Sequence, residues 1–341
     1  MELVLDFGNA RGKWYVPRLN AQGDFRHAIA RLTETEWRQS CRLGKPPKGY
    51  IRVNGMAYAV GDAARRHTIA DRPKGAARYT ETYYGIGLAF AASEALQTSD
   101  QNMTLRATYP PGDVDYASRL VASAKHEWEV ESHHGNFKFN VKRVGVIDEP
   151  LGGLAHYMLN ADGTEKRRNP LANATILVID VGGYTVDTVA VDPGGEIDTS
   201  SLKSTRTGII QLTEQFESEM RANNLTLFQD MGDLDIRRVE DGILTGTYRF
   251  GKVVIDCQTE ARAAVQALVY DVTQIITGAG GIGNYDAILV TGGGGALIFD
   301  ALQEALPRIE LFMAEQDRTL MKYANVFGAS KMFKALRRLG G

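Results

Sequence analysis

The chain has 341 residues, of which 44% are hydrophobic and 23% charged, with a formal net charge of −2. That balance describes a chain able to fold and excludes a disordered or fibrous one, and it lacks the basic excess with which a protein grips nucleic acid directly. No uncharged apolar run reaches the roughly 18 residues needed to span a bilayer, and Cys41 and Cys257 stand too far apart in sequence to suggest a disulfide framework or a zinc cluster.

At roughly 100–200 residues per domain, two domains are expected. The first residues carry no charged-then-apolar leader, so the expected location is the cytoplasm. Leu3-Val4-Leu5, Lys13–Leu19 and Phe25–Leu32 read as consecutive strands with turns at Gly8-Asn9 and at residues 21–23. Between the alternating apolar positions of 50–60 lies Asn54-Gly55, a hairpin signal that predicts a small exposed insertion near 45–75. A charged, loop-like stretch follows at 65–74. The patterning then predicts a helix over 82–97, a strand over Met103–Thr108, a helix over 114–128 and a strand over Val141–Ile147. Glu149-Pro150 opens a helix with proline in its first turn, where a missing N–H costs little.

Residues 160–173 are polar and charge-rich, and the domain boundary is placed there: 1–160 as the first domain, 161–324 as the second. The second half repeats the plan of the first, with strand Ile176–Ile179, strand Thr185–Val191, a turn at 193–195 and a helix from Gly208. Over 257–277, Ala261, Ala264, Val265, Leu268, Val269, Val272, Ile275 and Ile276 form one helical face. Strand Ile288–Thr291 then runs into Gly292, Gly293, Gly294 and Gly295, with a helix expected from Ala296.

Two segments share one design, an apolar strand ending in aspartate and a glycine turn: Asp6-Phe7-Gly8-Asn9 and Asp180-Val181-Gly182-Gly183-Tyr184-Thr185. Glycine lets backbone N–H groups approach an anion, and the carboxylate suits hydrated magnesium beside phosphates. Either copy alone reads equally well as an ordinary hairpin turn. One at the start of each half favours a pair that clamps a nucleotide triphosphate. The cluster Gly292–Gly295 reads either as a tight strand-to-helix turn or as a flat surface against which a ligand lies.

Other motifs are set aside. The segment from Gly8 to Lys13 has three residues between its glycines and Trp14 in place of a hydroxyl, so it is no P-loop. Gly278–Gly283 matches a dinucleotide-binding pattern but follows a helix rather than a strand. On a strand His133 and His134 would point to opposite faces, so the histidines read as structural or solvent-facing.

Taken in order, Asp6–Lys13, Glu149–His156, Asp180–Asp187, Thr291–Gly295 and Ala324–Gly328 resemble the phosphate turns, connecting helices and adenosine cluster of the superfamily of actin, sugar kinases and heat-shock chaperone ATPases. The resemblance covers nearly the whole chain. It is greatest to the bacterial and archaeal plasmid-segregating proteins of the ParM and StbA type, through Asp6-x-Gly8-Asn9…Lys13, Val53-Asn54-Gly55…Asp62 and Glu149-Pro150. It implies an α/β, actin-like fold of two RNase H-like domains facing across a nucleotide cleft, the first completed by a C-terminal helix over 325–341. It further implies an ATPase in which Lys13 touches the β- or γ-phosphate, Asp6 and Asp180 hold magnesium through waters, and Glu149 orients the attacking water. Gly8, Asn9, Gly182, Gly183 and Thr185 would cradle phosphate, and Gly292–Gly295 the adenosine.

The expected partners are further copies of the chain, in a filament, and a DNA-binding adaptor; direct nucleic-acid binding is not expected. The 50–62 hairpin and the loops around 225–251 are expected to supply subunit contacts. The basic C-terminal segment is expected to dock on the first domain rather than on a membrane. A small-molecule kinase of the same fold, or a nucleotide-binding scaffold without turnover, is the alternative reading.

Overall fold

Leu3, Val4, Leu5 and Phe7 are all fully buried, as in a strand covered on both faces. They belong to β1 (Glu2–Phe7), which pairs antiparallel with β2 (Arg11–Val16), itself antiparallel to β3 (Ala21–Arg26). The computed structural model describes residues 1–67, 75–95, 101–111, 114–223 and 236–340. Part of the loop-like stretch at 65–74, the last two residues of the helix expected over 82–97, and residues 225–235 of the expected contact region lie outside these.

Two strands come out shorter than their sequence pattern. Pro17 has no N–H for a ladder and Asn20 takes φ +47°, so β2 stops at Val16. The stretch from Phe25 is broken by a tight turn in which Ala28 N donates to Arg26 O, and resumes as β4 (Ile29–Arg31). Then comes α1 (Glu34–Ser40), not among the expected elements although Thr33 and Glu36 form a reciprocal capping box at its start.

Asn54 and Gly55, at φ +47° and +83°, make the left-handed two-residue turn between β5 (Tyr50–Val53) and β6 (Met56–Val60). The hairpin is no exposed outgrowth. Ile51, Val53, Tyr58 and Val60 are buried, because β6 pairs with β4 on one side and β5 continues the sheet on the other. After it come α2 (Ile86–Ala95), β7 (Gln101–Tyr109) and α3 (Val114–Ala124). The helix expected to reach 128 stops at Ala124, since Trp128 and Val130 are buried and alternate with Glu127, Glu129 and Glu131, a period of two that makes β8 (Glu127–Ser132). β9 (Gly135–Asp148) and α4 (Glu149–Met158) follow.

One unit comprises Met1–Asn169 with Tyr323–Gly341, the other Pro170–Lys322. The sheet of the first runs β3-β2-β1-β7-β9-β8-β5-β6-β4, with β7 and β9 parallel to β1. In the second unit are β10 (Ile176–Val181), β11 (Val186–Val191), β12 (Ile197–Thr205), α5 (Ile209–Asn223) and α6 (Ile236–Thr245). A small hairpin, β13 (Thr247–Phe250) with β14 (Val253–Asp256), precedes α7 (Gln258–Gly278), β15 (Ala287–Thr291), α8 (Gly292–Ala305) and β16 (Glu310–Met313). Its sheet order, β12-β11-β10-β15-β16, has the same sequence of antiparallel and parallel pairings as β3-β2-β1-β7-β9. β12 carries no strand signal in the sequence, because its residues are mostly exposed and polar, with Ser201 the strand's buried side chain.

The last helix, α9 (Ala324–Leu339), packs within the first unit. Its basic residues are tied down there: Arg337 to Glu2 at 2.9 Å, Arg338 to Asp162 at 3.0 Å, and Lys331 Nζ to the His156 carbonyl at 2.9 Å. α9 crosses α4 where glycine faces glycine. A Cβ on Gly152 would lie 2.7 Å from the Asn325 carbonyl, and one on Gly328 would strike the Gly152 carbonyl oxygen. Backbone cannot swing aside as a side chain does, so Gly328→Ala is expected to lower stability by about 1–3 kcal/mol or more, the range of core overpacking. Urea unfolding of the variant beside the native chain measures this; an unchanged midpoint would refute the close crossing.

Candidate functional site

The register of β1 on β2 sets Lys13 directly opposite Asp6, and Lys13 Nζ lies 2.7 Å from Asp6 Oδ2. Asp6 is 1% exposed, so this is a buried carboxylate answered by a lysine from the neighbouring strand. Gly8 sits over the pair: a Cβ there would be 3.1 Å from the Arg11 carbonyl and 3.7 Å from Lys13 Nζ. On its other side β1 runs parallel to β7 and places Thr108 beside Asp6. Among the described residues neither Asp6 Oδ1 nor Thr108 Oγ1 has a hydrogen-bond partner, although both are buried. Ile147 of β9 lies beside Thr108, and Glu149 begins the helix that follows. Asp6, Thr108 and Glu149 therefore stand at the carboxyl ends of three adjacent parallel strands, the edge at which open α/β sheets place ligands.

Beneath this edge lie groups that the sequence pattern did not single out. Arg78 is 1% exposed, its Nη2 donates to Tyr79 Oη at 2.8 Å, and Nη2 stands 3.9 Å from Glu149 Oε1. Burial opposes its charge, but Tyr79, Glu149 and then Asp6 outweigh it and hold the guanidinium pKa above its ordinary value. His27 is buried against Phe7, with Nδ1 3.2 Å from the Gly8 carbonyl. Burial, then the charge of Arg78, pull its pKa down to about 4. A neutral ring donating from Nδ1 steadies the Gly8 turn.

In the second unit the same backbone carries different charges. β10 and β11 set Asp187 opposite Asp180, in the place that Lys13 takes opposite Asp6, and Thr291 of β15 stands beside Asp180 as Thr108 does beside Asp6. Asp180 and Asp187 are 3% and 1% exposed, and Thr185 Oγ1 donates to Asp187 Oδ2 at 2.9 Å. A Cβ on Gly182 would meet the Thr185 carbonyl at 3.2 Å, the counterpart of Gly8 over Arg11. The carbonyls of Gly182 and Gly183 accept from Ile209 N and Ile210 N at 3.1 and 2.9 Å, fixing the turn to the start of α5. Asp187 was not among the expected site residues. Its position seven residues after Asp180, as Lys13 is seven after Asp6, was the available signal.

The helix expected from Ala296 begins at Gly292 instead, so the four glycines are its first turn rather than a loop before it. Three have packing reasons. Gly292 has φ +84° and a Cβ on it would strike Asp180 Oδ1; one on Gly294 would meet Val181 Cγ1 at 2.6 Å, and one on Gly295 would meet Val290 Cγ1 at 2.7 Å. Gly293 is half-buried, and the nearest atom to a Cβ there is 3.5 Å away. It is the member of the four with room above it. Gly8, Asn9, Gly182, Gly183 and Thr185 are likewise half-buried.

Strands in the order 3-2-1-4-5, with strand 2 antiparallel between its neighbours, strands 4 and 5 parallel to strand 1 and a helix after strand 4, occur in both units, in the first as part of a nine-stranded sheet. Such a repeat defines the two-unit α/β class to which actin-like proteins belong. The chain has the actin-like fold: it is similar over 99% of both chains to Ta0583, an archaeal actin homolog solved in complex with ADP, with TM-score 0.77 and 16% identity. It is similar to the ParM filament from Clostridium botulinum, TM-score 0.74 and 16% identity over 98% of this chain and 99% of that one. ParM of Bacillus thuringiensis, solved with ATP, matches at TM-score 0.70 and 13% identity over 98% of each. No protein-family model matches the sequence, and no curated protein matches it in sequence. At these identities the likeness is one of fold.

The pair of buried Asp6 and half-buried Lys13 yields a direct test. Lys13→Met leaves the Asp6 carboxylate in place without its lysine and is expected to cost on the order of 3–5 kcal/mol of stability, as breaking buried ion pairs does. Lys13→Met with Asp6→Asn removes both charges and is expected to recover much of that loss. Denaturant midpoints of the two variants decide it: a double variant no more stable than the single one would mean that Lys13 does not neutralise Asp6.

Proposed function

We propose that the chain binds and hydrolyses ATP and assembles with itself into filaments. One observation carries this reading: each unit ends a buried strand in a carboxylate, with glycine over it and a threonine beside it on the parallel neighbour. It is supported by the actin-like fold, whose solved examples include a protein with ADP, one with ATP and a filament. In this reading the half-buried Gly8 and Asn9 of one turn, and Gly182, Gly183 and Thr185 of the other, offer backbone to phosphate oxygens. Lys13 exchanges its bond to Asp6 for one to a phosphate.

Magnesium would be held through waters by Asp6 and Asp180, and Asp187 joins that set, because two buried acids across one hairpin suit a hard divalent cation. The ion would supply neutralisation of phosphate charge. Unsatisfied Asp6 Oδ1 and Thr108 Oγ1 fit a site that awaits polar ligands. Gly293, with its open face, meets the adenosine, while Gly292, Gly294 and Gly295 keep the first turn of α8 tight beside it. Glu149, buried beside the Arg78 charge, orients a water for attack. Phosphoryl transfer asks for positioning and charge neutralisation more than covalent chemistry, which these residue types supply.

A filament in the cytoplasm that moves DNA through an adaptor is the biological setting we infer. A near-neutral net charge of −2 suits an adaptor better than direct contact with phosphate backbones. No helix among the described residues is long and apolar enough to cross a membrane.

Glu149→Ala is expected to slow phosphate release from ATP by roughly 10²–10⁴-fold, the range for a lost general base or water-positioning group, with ATP affinity little altered. Unchanged turnover would remove Glu149 from the reaction, and release that appears only with an added small-molecule acceptor would turn the reading toward a kinase. For assembly, light scattering after addition of Mg-ATP is expected to rise above a critical protein concentration and to decay as nucleotide is consumed. Flat scattering over a broad concentration range, with single molecules seen by electron microscopy, would leave the ATPase and defeat the filament.

A further inference from the structure

His133 and His134 do not lie on a strand. They form the two-residue turn between β8 and β9, with Ser132 paired to Gly135 and Gly135 at φ +121°. A turn, unlike a strand, lets consecutive side chains fall on one side, and the two imidazole rings lie 3.8 Å apart, centre to centre. Glu94, in the last turn of α2, brings its carboxylate to them: Oε1 is 3.6 Å from His133 Nδ1 and 3.9 Å from His134 Nε2. One donor atom from each residue fits within 4.8 Å of the others. Zinc bound at about 2.0–2.2 Å in a tetrahedron holds its ligand atoms about 3.4 Å apart, so the glutamate needs to close on each histidine by a few tenths of an ångström and the two histidine nitrogens, within 4.8 Å of each other, by at most about 1.4 Å.

Two further observations point to a missing ligand. Glu94 Oε1 and His133 Nδ1 are both buried and have no hydrogen-bond partner among the described residues, although they face each other. Lys48, the nearby cation, approaches the other carboxylate oxygen, Oε2, at 3.7 Å, and its side chain is 76% exposed, so it leaves Oε1 open and withdraws easily. Burial, partly offset by Glu94 and reinforced by the charges of His134 and Lys48, holds the His133 pKa below its ordinary value. The place is separate from the phosphate turn of this unit: β9 runs 14 residues from the histidine turn to Glu149, roughly 40 Å of extended strand.

We propose that Glu94, His133 and His134 form a zinc site with an open fourth position, which ties the end of α2 to the β8–β9 turn. Two imidazoles and one carboxylate are a donor set that zinc takes readily, with water completing the tetrahedron. Magnesium, which prefers oxygen ligands and octahedral geometry, does not suit it.

The test uses the full chain, stripped of metal and titrated with zinc chloride by calorimetry and by competition with a chromophoric chelator. One equivalent is expected to bind. His133→Asn and His134→Asn are each expected to weaken binding by at least roughly tenfold, since even outer partners of metal ligands cost 10–100-fold. Lys48→Met, which removes the competing charge, is expected to tighten it several-fold. The histidines lie on a surface turn, so circular dichroism and metal-free melting should match the native chain and separate lost ligation from lost folding. Absence of a stoichiometric zinc equivalent in the native chain would overturn the proposal, as would a folded His133→Asn/His134→Asn variant that keeps native affinity and so shows binding at other surface histidines.

Discussion

A carboxylate withdrawn from water at the end of β1 is the constraint around which the first unit is arranged. Asp6 is almost fully buried, and a buried unpaired charge would cost several kcal/mol. The charge is answered by Lys13 only because β1 and β2 pair in one register; a slip of one residue would turn Lys13 to the opposite face of the sheet. That register is held by Leu3, Leu5, Phe7, Trp14 and Val16, whose burial on the sheet's faces tolerates no slip. Gly8 follows from the same constraint, since a side chain there would press on the Arg11 carbonyl. His27 then holds the glycine carbonyl, and Arg78 adds a fully buried cation near both His27 and Glu149.

The second unit repeats the backbone and changes the charge. Asp187 stands where the lysine would be, and the aspartate turn is fastened to α5 through the carbonyls of Gly182 and Gly183. A fold that builds the same hairpin twice can therefore present a cation in one copy and paired acids in the other. Different phosphate and magnesium roles for the two turns would need that division. The glycine turn of α8 is bound to this arrangement as well, because Gly292 packs directly on Asp180. Flexibility at that glycine is a packing requirement before it is a binding surface.

Features written in local chemistry were legible in the sequence. Asn54-Gly55 makes the turn its residue types demand, Glu149-Pro150 opens a helix, and the long apolar face of α7 is continuous. Features that depend on what a segment meets were not. The start of β8 reads as the end of a helix over 114–128, because Trp128 and Val130 declare themselves only by alternation over a few residues. The hairpin at 50–60 looks exposed from its sequence, since nothing local records that β5 and β6 are covered by α1, α2 and the neighbouring strands. His133 and His134 would point apart on a strand, and the two-residue turn that they form instead brings their rings together.

The sequence by itself determined the order of the elements and the places where acid and glycine recur, because aspartate after an apolar run and glycine after aspartate are local statements about burial and backbone freedom. Their order carries the resemblance to actin-like proteins, which implies the fold and the expectation that Asp6, Glu149 and Asp180 belong to the site. Only the tertiary structure decided which charge answers which. Lys13 opposite Asp6, Asp187 opposite Asp180, Arg78 beside Glu149 and Glu94 against the two histidines are cross-strand or helix-to-loop meetings. Such meetings are set by register and packing between residues distant in the chain, and no local pattern carries them.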